Sequence, residues 1–582
     1  MTDLSISNVV NISVSSANPG INAYNTNNLA IVTGEPVKAA VQKISFSAVA
    51  ASGAFVLKFG ATSTSSIPYD ATADAIQTAI NLIDGLEYVL VTGSIASKVL
   101  TLTQPGNLGA IPLPTVPTNT LEDAGSVAIT VSPSTTSSGW SGGKLGYAIY
   151  IDPTQVGIDF GTDSLTYKQA NAVFSQQPNI LAGSGQLIVI LRNVSQQTIT
   201  LSADPTGGAF TLEYNSNSTS SLPYTSTPAQ IQAALRLLPG LESVLVAGSI
   251  TDGLITVFFT GVYGAALPLS ASANTLVVGT VPVTLTFAIT VVGESYGAVI
   301  SRTQGVVQYF GVMPNETVAV IGQTDVLAAA AIVLSLNLIG FNVSYNQADI
   351  EPGGIIDLIR SGVFTNSRGL YYGDDGTYFG DASASVMMAS YAGRALSVNF
   401  SGSNTTSTMH LKQLIGVQPD PTMTQTILNL AQAAGADCYV SLQTDPCVFT
   451  SGANKFFDQV YNLEWFVGAL QVAGFNYLAQ ASTKILQTEQ GMDGLKGAYR
   501  NVCKQAVTNQ YSAPGVWTNP TTFGNQDLFL ANILQQGYYI YSLPISQQLA
   551  ADRAARVAPL VQIALKEAGA IQKSSVLVYV NP

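Results

Sequence analysis

A duplicated segment constrains the fold of this 582-residue chain more than any other feature of its sequence. Gly53 to Leu57 recurs 155 positions later as Gly208 to Leu212, and Ser63 to Tyr69 recurs without a gap as Ser218 to Tyr224. More than half of the positions from 53 to 95 are identical to their partners. Such self-similarity marks one structural unit that is used twice. We therefore predict two copies of a module, with sequence of another character between them.

Strands around one short helix are predicted inside each copy. Apolar residues three and four positions apart predict the helix at about residues 71–83 in the first copy, with Thr72 as its N-cap and Thr227 in the same place in the second. The apolar faces comprise Ile76, Ala79, Ile80 and Ile83, then Ile231, Ala234, Leu235 and Leu238. We predict small β-rich, sandwich-like modules at residues 43–133 and 198–293. The Ser/Thr-rich stretch from Ser132 to Gly143 is typical of a linker.

Most of the remaining sequence alternates between strand and helix patterns. Strands are predicted at residues 127–131, 146–151, 186–191, 305–310, 370–372 and 537–543. Helices are predicted at residues 163–178, 324–336, 353–360, 382–396, 456–477 and 495–508, with Thr324 as a candidate N-cap. The fold class that follows is a mixed, multidomain α+β chain. It has an α/β core, two inserted β-rich modules and extended terminal arms.

The two ends of the chain carry strand patterns that lack an evident partner. Near the C-terminus, a helix is predicted from Ala550 to Ala568, kinked or split at Pro559, followed by an apolar strand of Val576, Leu577, Val578, Tyr579 and Val580. A strand with no polar face needs cover on both sides, which another subunit's sheet or its own core can supply. At the N-terminus, strand spacing with Ser and Asn between is seen at Leu4, Ile6, Val9 and Ile12. A disordered leader is the alternative for that segment.

Composition excludes several classes of function. Charged residues make up 10% of the chain, against about 25% in ordinary soluble domains, which suggests a surface covered by copies of itself or by partners. The net charge is −12 and Lys and Arg are not clustered, so nucleic-acid binding is not expected. The start of the sequence lacks a signal-peptide pattern, and the longest apolar segment, Val326 to Phe341, is too short to span a bilayer. A soluble protein made in a cytoplasm is expected, with no membrane insertion.

Residues that carry catalysis or bind metals are sparse. His410 is the single histidine, and Cys438, Cys447 and Cys503 are scattered, so they are expected to be buried thiols. The acidic loop at Asp374 and Asp375 lacks the ligand spacing of a calcium loop and is expected to be a solvated turn. No phosphate-binding loop motif occurs. We therefore expect no enzyme activity, no metal and no cofactor.

Several short motifs resemble a known family. They are Asp552 to Arg556, Ala568 to Ile571 with the valine-rich strand after it, Phe174 to Pro178, His410 to Gln413, and Ile415 to Asp420. In their order and number they resemble the contractile tail sheath proteins of bacteriophages. The resemblance covers residues 1–42, 144–195 and 300–582, and leaves both repeats unmatched.

This resemblance implies a structural subunit that forms stacked hexameric rings around a tail tube. It implies contraction that drives the tube through the host envelope, so that the viral genome is ejected. The implied partners are other copies of the chain, the tube protein, and the baseplate and tail terminator proteins. The protein would be a late product, assembled in the host cytoplasm and located in the virion. Strands at Leu4, Ile6, Val9 and Ile12 and at Val576 to Val580 would pair with neighbouring subunits, and Arg553, Arg556 and Lys566 would face the tube.

The resemblance also divides the chain. We expect an N-terminal arm at residues 1–42, modules at 43–133 and 198–293, a core segment at 144–197, a middle α/β domain at 300–420, a C-terminal domain at 421–572 and an arm at 573–582. One alternative stays open: a non-contractile phage or surface protein with an adhesive role, in which the repeated modules bind carbohydrate. Tubes of purified protein would separate these two hypotheses.

Overall fold

The computed structural model describes residues 25–578, except 87–88, 242–243, 252 and 381. Its strands are β1 Leu29–Thr33, β2 Ala40–Phe46, β3 Ala54–Phe59, β4 Thr62–Ser63, β5 Ile67–Pro68, β6 Leu90–Ser94, β7 Val99–Gln104, β8 Thr115–Asn119, β9 Val131–Ser138, β10 Tyr147–Tyr150, β11 Leu187–Leu191, β12 Gln196–Leu201, β13 Ala209–Tyr214, β14 Asn217–Ser218, β15 Leu222–Pro223, β16 Leu245–Ser249, β17 Leu254–Phe258, β18 Ser270–Asn274, β19 Val277–Val278, β20 Val281–Pro282, β21 Leu285–Val291, β22 Gly311–Pro314, β23 Ile339–Ser344, β24 Ser367–Tyr371, β25 Ala436–Leu442, β26 Asp445–Phe449, β27 Tyr538–Ser542 and β28 Val561–Leu565. Its α-helices are α1 Ala73–Asn81, α2 Pro153–Phe160, α3 Leu165–Ser175, α4 Pro228–Leu235, α5 Tyr296–Thr303, α6 Val318–Ile321, α7 Gln323–Ser335, α8 Ile355–Ser361, α9 Ser383–Ala395, α10 Gln425–Ala434, α11 Phe457–Ala479, α12 Glu489–Thr508, α13 Gln526–Gln536 and α14 Ala550–Ala554.

A sheet of eight strands forms the core, in the order β10-β11-β1-β22-β23-β24-β25-β26. Its six inner strands are parallel, and β10 and β26 are antiparallel at the edges. Every residue of β1, β23 and β24 is buried, as expected for a parallel sheet that is covered on both faces. Helices α3, α9 and α11 pack on one face, and α5, α7, α8 and α10 pack on the other. The predicted mixed α/β multidomain class is confirmed.

Each repeat forms two small sheets and one helix around its own apolar cluster. The sheets are β6-β7-β2-β9 and β4-β3-β5, with β8 also paired to β3, in the first copy. In the second copy they are β16-β17-β12-β21 and β14-β13-β15, with β18 also paired to β13, and this copy has the additional strand pair β19-β20. The clusters draw on residues 40–131 and 199–283 respectively. Both predicted N-caps are confirmed, since Thr72 accepts a hydrogen bond from the Ala75 N–H and Thr227 accepts one from the Gln230 N–H.

A buried hydroxyl explains the Ser-Thr-Ser-Ser motif that both copies keep. The Oγ1 of Thr64 accepts a hydrogen bond from the Leu57 N–H at 3.1 Å, and Thr219 does the same for Leu212 at 3.0 Å. Both threonines are buried. Because a buried N–H without a partner is costly, the motif has a structural role within each module.

The predicted linker at residues 132–143 is wrong over most of its length. Residues 131–138 form β9, which pairs antiparallel with β2 from Phe46↔Val131 to Ala40↔Ser138. The strand expected at residues 127–131 therefore begins only at Val131. Ladder hydrogen bonds come from the backbone, so a Ser/Thr-rich segment forms an edge strand when a partner strand lies beside it.

Two further predictions in the core need correction. No strand forms at residues 305–310; Tyr296–Thr303 is helix α5, and the strand is Gly311–Pro314. Helix α7 begins at Gln323 with Gly322 as its N-cap and no side-chain cap, so Thr324 does not cap it. The predicted helices at 382–396, 456–477 and 495–508 correspond to α9, α11 and α12.

The predicted helix from Ala550 to Ala568 is also wrong. Only Ala550–Ala554 is helical, and Arg556 adopts a positive φ of 59°. Residues 561–565 instead form β28, which pairs antiparallel with β27. Pro559 lacks the N–H that a continued helix needs, and a β27 rich in Tyr and Ile offers a partner for Val561 and Ile563. Arg556 therefore does not continue the helical face that the prediction required.

Among the helices of the described residues, none has the length and apolarity that a membrane crossing requires.

Candidate functional site

A small sheet near the C-terminus presents open edges. Strands β27 and β28 pair only with each other within the described part of the chain. They rest on α11, α12 and α13 through Phe466, Cys503 and Phe529. Each outer edge therefore offers N–H and C=O groups to a further strand. Two-stranded sheets are marginal alone, and added strands complete them.

The segment after β28 exposes its apolar side chains. No strand forms between residues 569 and 578. Ile571 is 95% exposed, Val576 81%, Leu577 75% and Val578 72%. The side chain of Gln572 still touches the body of the protein, since its Nε2 donates to Thr408 Oγ1 at 3.2 Å. Contiguous exposed apolar groups on a soluble chain indicate a surface that another molecule covers.

The predicted pairing residues fall partly in this segment. This segment contains Val576, Leu577 and Val578. The strand predicted for them does not form within the single chain. Tyr579 and Val580, and Leu4, Ile6, Val9 and Ile12 at the other end, lie outside the described residues. Their pairing with a neighbouring subunit stays a prediction.

The predicted tube-facing cations do not share one helical face. Arg553 is exposed in the last turn of α14 and Arg556 is exposed in the turn that follows it, whereas Lys566 follows β28 and is half-buried. The Nζ of Lys566 donates to the carbonyl oxygen of Glu567 at 3.1 Å. Arg553 and Arg556 thus form one exposed basic turn, and Lys566 belongs to the end of the small sheet.

Sequence reasoning missed a polar cluster at the carboxyl ends of β1, β11 and β22. The Oγ1 of Thr33 lies at its centre and accepts hydrogen bonds from Asn315 Nδ2 at 2.9 Å and Thr166 Oγ1 at 3.0 Å. In open α/β sheets this end of the strands is where ligands bind. Here Tyr263 of the second module reaches the cluster and donates its hydroxyl hydrogen to Asn315 Oδ1 at 3.2 Å. A part of the chain itself therefore occupies the position that a ligand takes in related architectures.

Glu316 lies beside this cluster and has an altered acidity. Burial raises its pKa to about 7, with a further rise from the nearby Glu35 and an opposing effect of Arg192. A folded pKa above the ordinary value of 4.5 means that the folded chain holds the proton more tightly than the unfolded chain. Protonated Glu316 therefore stabilises the fold. This contribution to stability is fully present below the unfolded pKa and is lost as the pH rises through about 7.

Replacing Glu316 by Gln should remove this pH dependence. Relative to the variant, we expect the wild-type chain to lose about 1–3 kcal/mol of stability between about pH 5 and pH 8. The measurement is the difference in Tm between the two proteins across that range. Glu351→Gln is the control, because Glu351 is exposed. A Tm difference that is constant with pH would contradict the assignment.

The other candidate groups are structural. His410 is buried beside Thr450 Oγ1, and burial followed by the charge of Lys573 lowers its pKa. Cys438, Cys447 and Cys503 are free and buried, and burial raises the pKa of each thiol. In the part of the chain that the structure describes, no group of three or more His, Cys, Asp or Glu side chains has the proximity that a metal ion requires.

The solvated turn predicted at Asp374 is wrong for that residue, which is 1% exposed. Its carboxylate accepts hydrogen bonds from the N–H groups of Gly376, Tyr378 and Phe379. Burial acts to raise its pKa, but these donors and Ser383 outweigh burial, so the pKa is lowered. Asp374 therefore holds a loop in place. Asp375 keeps the exposed position that the turn predicts.

Comparison with known proteins adds a family over the C-terminal region. Residues 457–580 match the family described as E217 tail sheath protein gp31-like, C-terminal domain. The resemblance seen in the sequence is confirmed over these residues. Among solved structures, the chain is similar to the sheath tail protein of Desulfitobacterium hafniense at 10% identity, covering 72% of this chain and 92% of that one, with a TM-score of 0.34. A TM-score this low supports no inference. No curated protein matches the chain significantly by sequence.

Proposed function

We propose that this chain, which carries the C-terminal domain of the phage tail sheath family, is the structural subunit of a contractile tail sheath. In this proposal it forms stacked hexameric rings around a tail tube. One observation supports it most. A sheet with two open edges, β27–β28, lies close in sequence to an apolar segment, residues 574–578, that has no strand partner among the described residues.

The proposed mechanism follows from strand exchange between copies. An arm that adds a strand to a neighbour's sheet links the two subunits through backbone hydrogen bonds. Such links persist while the subunit bodies rotate, since the flexible segment before each strand absorbs the motion. The energy for contraction then lies in body-to-body contacts that are poorer before the rotation than after it. No nucleotide and no cofactor take part, and the subunit is not an enzyme.

The surface of the C-terminal domain supports a role in assembly. Large apolar side chains are exposed on the α11–α12 hairpin, on α13 and on the turn near α14; they are Leu463, Val467, Phe475, Leu478, Leu486, Leu528, Leu530, Leu534, Leu549, Val557 and Leu560. Apolar area of this extent is expected to be covered in the working state. Copies of the chain are the proposed cover. The tube, baseplate and tail terminator proteins are further proposed partners, in a virion assembled in the host cytoplasm.

Electron microscopy of the purified protein tests the proposal. A sheath subunit forms tubes or sheath-like polymers without other phage proteins. The alternative, a non-contractile adhesive protein with carbohydrate-binding modules, remains as monomers or small oligomers at the same concentration. Glycan binding by the isolated modules together with an absence of polymers would favour that alternative.

The basic turn formed by Arg553 and Arg556 is the proposed contact with the tube. Both side chains are exposed, and a long cationic side chain can pair with an acidic surface. We expect Arg553→Glu/Arg556→Glu to weaken co-assembly with the tube about tenfold while polymers of the sheath protein alone still form. Co-sedimentation with purified tubes measures this. Lys98→Glu, in the first module, is the matched control, and equal co-sedimentation of all three proteins would contradict the contact.

The first module is proposed to project from the sheath and to be dispensable for assembly. Its closing strands pair from Ala40 to Ser138, so its two ends lie side by side. We expect a chain that lacks residues 40–138, joined by a short Gly/Ser linker, to fold and to form tubes. Residues 40–138 alone are expected to fold, because they enclose a complete apolar cluster. If the deletion variant folds but forms no polymer, the first module takes part in the contacts between subunits, and the proposal is wrong.

A further inference from the structure

We infer that the two modules, although copies of each other, are joined to the core differently: Arg192, Tyr263 and Glu294 lock the second module in place, whereas the first module turns about its two connectors. This inference goes beyond the proposed function, and it concerns the single chain. It rests on a comparison of the same positions in the two copies.

Arg192 clamps a loop of the second module. Its Nη1 donates to the carbonyl oxygen of Val262 at 2.8 Å, and its Nη2 donates to that of Thr260. Its guanidinium carbon lies 4.2 Å from the centre of the Tyr263 ring. Arg192 itself is buried directly after the core strand β11, and its N–H donates to Thr33 of β1. The guanidinium thus joins three points of the module to the core sheet.

Tyr263 extends this contact into the core. The residue is 9% exposed and belongs to the apolar cluster of α5, α7 and the central sheet. Its ring meets that of Tyr296 edge-on at 6.5 Å, and its hydroxyl donates to Asn315. A module that places an aromatic side chain inside the core cannot rotate without withdrawing it.

The two connectors of the second module are also tied to each other. The N–H of Asn193 donates to Glu294 Oε2 at 2.8 Å, and the N–H of Glu294 donates to the carbonyl oxygen of Asn193 at 2.9 Å. Arg302 of α5 pairs with Glu294 at 2.6 Å and also donates to the carbonyl oxygen of Leu191. Both connectors of the second module are therefore fixed to the core helix α5.

The first module lacks each of these groups. At an offset of 155 residues, Val37 stands in place of Arg192 and Leu108 in place of Tyr263. The pairing of the closing strands shifts the offset to 154 residues there, so Trp140 stands in place of Glu294. None of these three side chains carries a charge, and the two aliphatic ones form no hydrogen bond. Among the described residues of this module, from 40 to 138, none belongs to either apolar cluster of the core.

A cavity lies at the base of the first module instead of a clamp. Its volume is about 380 Å³, and it lies between the connector residues Lys38, Gly139 and Trp140 and the core residue Asp159. The connectors themselves are anchored, since the Lys38 N–H donates to the Asp159 carbonyl oxygen at 2.7 Å and Trp140 Nε1 donates to Tyr150. The body of the module begins two residues beyond each anchor, at Ala40 and Ser138. Gly139, with a φ of 80°, is therefore the natural pivot.

This difference separates the two modules in function. The second module moves with the core as one body, so any rotation of the core displaces it fully. The first module can rotate independently of the core. This freedom suits a module that adjusts to neighbouring subunits or to a surface outside the assembly. The two copies have the same internal fold, and their junctions decide which of them transmits motion.

Distances between spin labels on the monomer test the inference. Cysteines at the equivalent exposed positions, Ala96→Cys and Thr251→Cys, are each paired with Ser361→Cys on the core helix α8; the native cysteines are buried and do not label. We expect the distance distribution from position 96 to be about twofold broader, or more, than that from position 251. Equal widths would overturn the inference. Because the monomer is measured, the outcome does not depend on whether the protein forms tubes.

A second experiment exchanges the residues that join each module to the core. Arg192→Val/Tyr263→Leu gives the second module the residues of the first, and its distribution is expected to broaden to the width of the first. Arg302→Gln is a milder variant that removes the ion pair with Glu294 and the hydrogen bond to the Leu191 carbonyl oxygen, and it should broaden the distribution partially in a chain that still folds. Narrow distributions in folded variants would show that other contacts hold the module.

Discussion

Removal of residues 574–582 is expected to abolish polymerisation while leaving a folded monomer. The described part of that segment, residues 574–578, is exposed and forms no strand with the other described residues, so we expect its loss to leave the fold intact. The truncation keeps Gln572, whose contact with Thr408 ends the attached part of the arm. If the arm adds a strand to a neighbour's β27–β28 sheet, its absence removes a whole ladder of hydrogen bonds for each subunit.

Sedimentation and electron microscopy measure this effect, and circular dichroism and Tm verify the monomer. We expect polymer to fall below detection, with Tm unchanged within about 2 °C. Removing only Asn581 and Pro582 is the matched control, because it leaves the apolar run from Val576 to Val580 intact. A second variant, Val576→Asn/Val578→Asn, keeps the length of the arm but not its apolar character. Normal polymers from both the truncated and the Asn-substituted chains would rule out the proposed role of the arm.

Breaking the buried pair of Arg368 and Asp437 is expected to cost the largest amount of stability. The two side chains are 2% and 0% exposed, and Arg368 Nε lies 3.8 Å from Asp437 Oδ2. Tyr391 donates its hydroxyl hydrogen to Oδ2 at 2.6 Å, and the Ser451 N–H donates to Oδ1 at 2.7 Å. Burial raises the pKa of Asp437, and the charge of Arg368 opposes that rise. Asp437→Ala leaves a buried guanidinium without its paired carboxylate.

We expect Asp437→Ala to destabilise the core by about 3–5 kcal/mol. The double variant Arg368→Met/Asp437→Leu removes both charges and fills the space, so its loss should be much smaller. The Tm of the core transition is the appropriate measurement, because a chain with several apolar clusters need not unfold in one step. The control is Asp357→Ala, which breaks the partly exposed pair with Arg360. Equal losses for the single and the double variant would show that the charges are not the cause.

Local sequence patterns were sufficient to predict elements that do not depend on a particular distant partner. The strand predicted at residues 186–191 corresponds to β11, which lies within the parallel part of the central sheet. Thr72 and Thr227 cap their helices because a cap involves only the next three residues. The duplication was likewise visible in the sequence, since it compares the chain with itself.

The segment after Pro544 was beyond such reasoning. Val561 and Leu565 are four residues apart, which suits one face of a helix, and Ile563 between them suits a strand equally well. The choice was made by β27, a strand more than twenty residues away that offers unpaired backbone groups. The edge strand β9 illustrates the same point, because β2 determined its pairing although its own Ser/Thr-rich composition indicated a linker.

By itself, then, the sequence determined where the helices of the two modules begin, that one module occurs twice, and that the motifs resemble a tail sheath. Those properties depend on residues that are close in the chain or on composition. Only the tertiary structure decided that Arg192 and Tyr263 lock one module, that Val37 and Leu108 leave the other free of such a clamp, and that residues 561–565 form a strand. Each of these depends on contacts between segments far apart in sequence, whose free energies a local pattern does not contain.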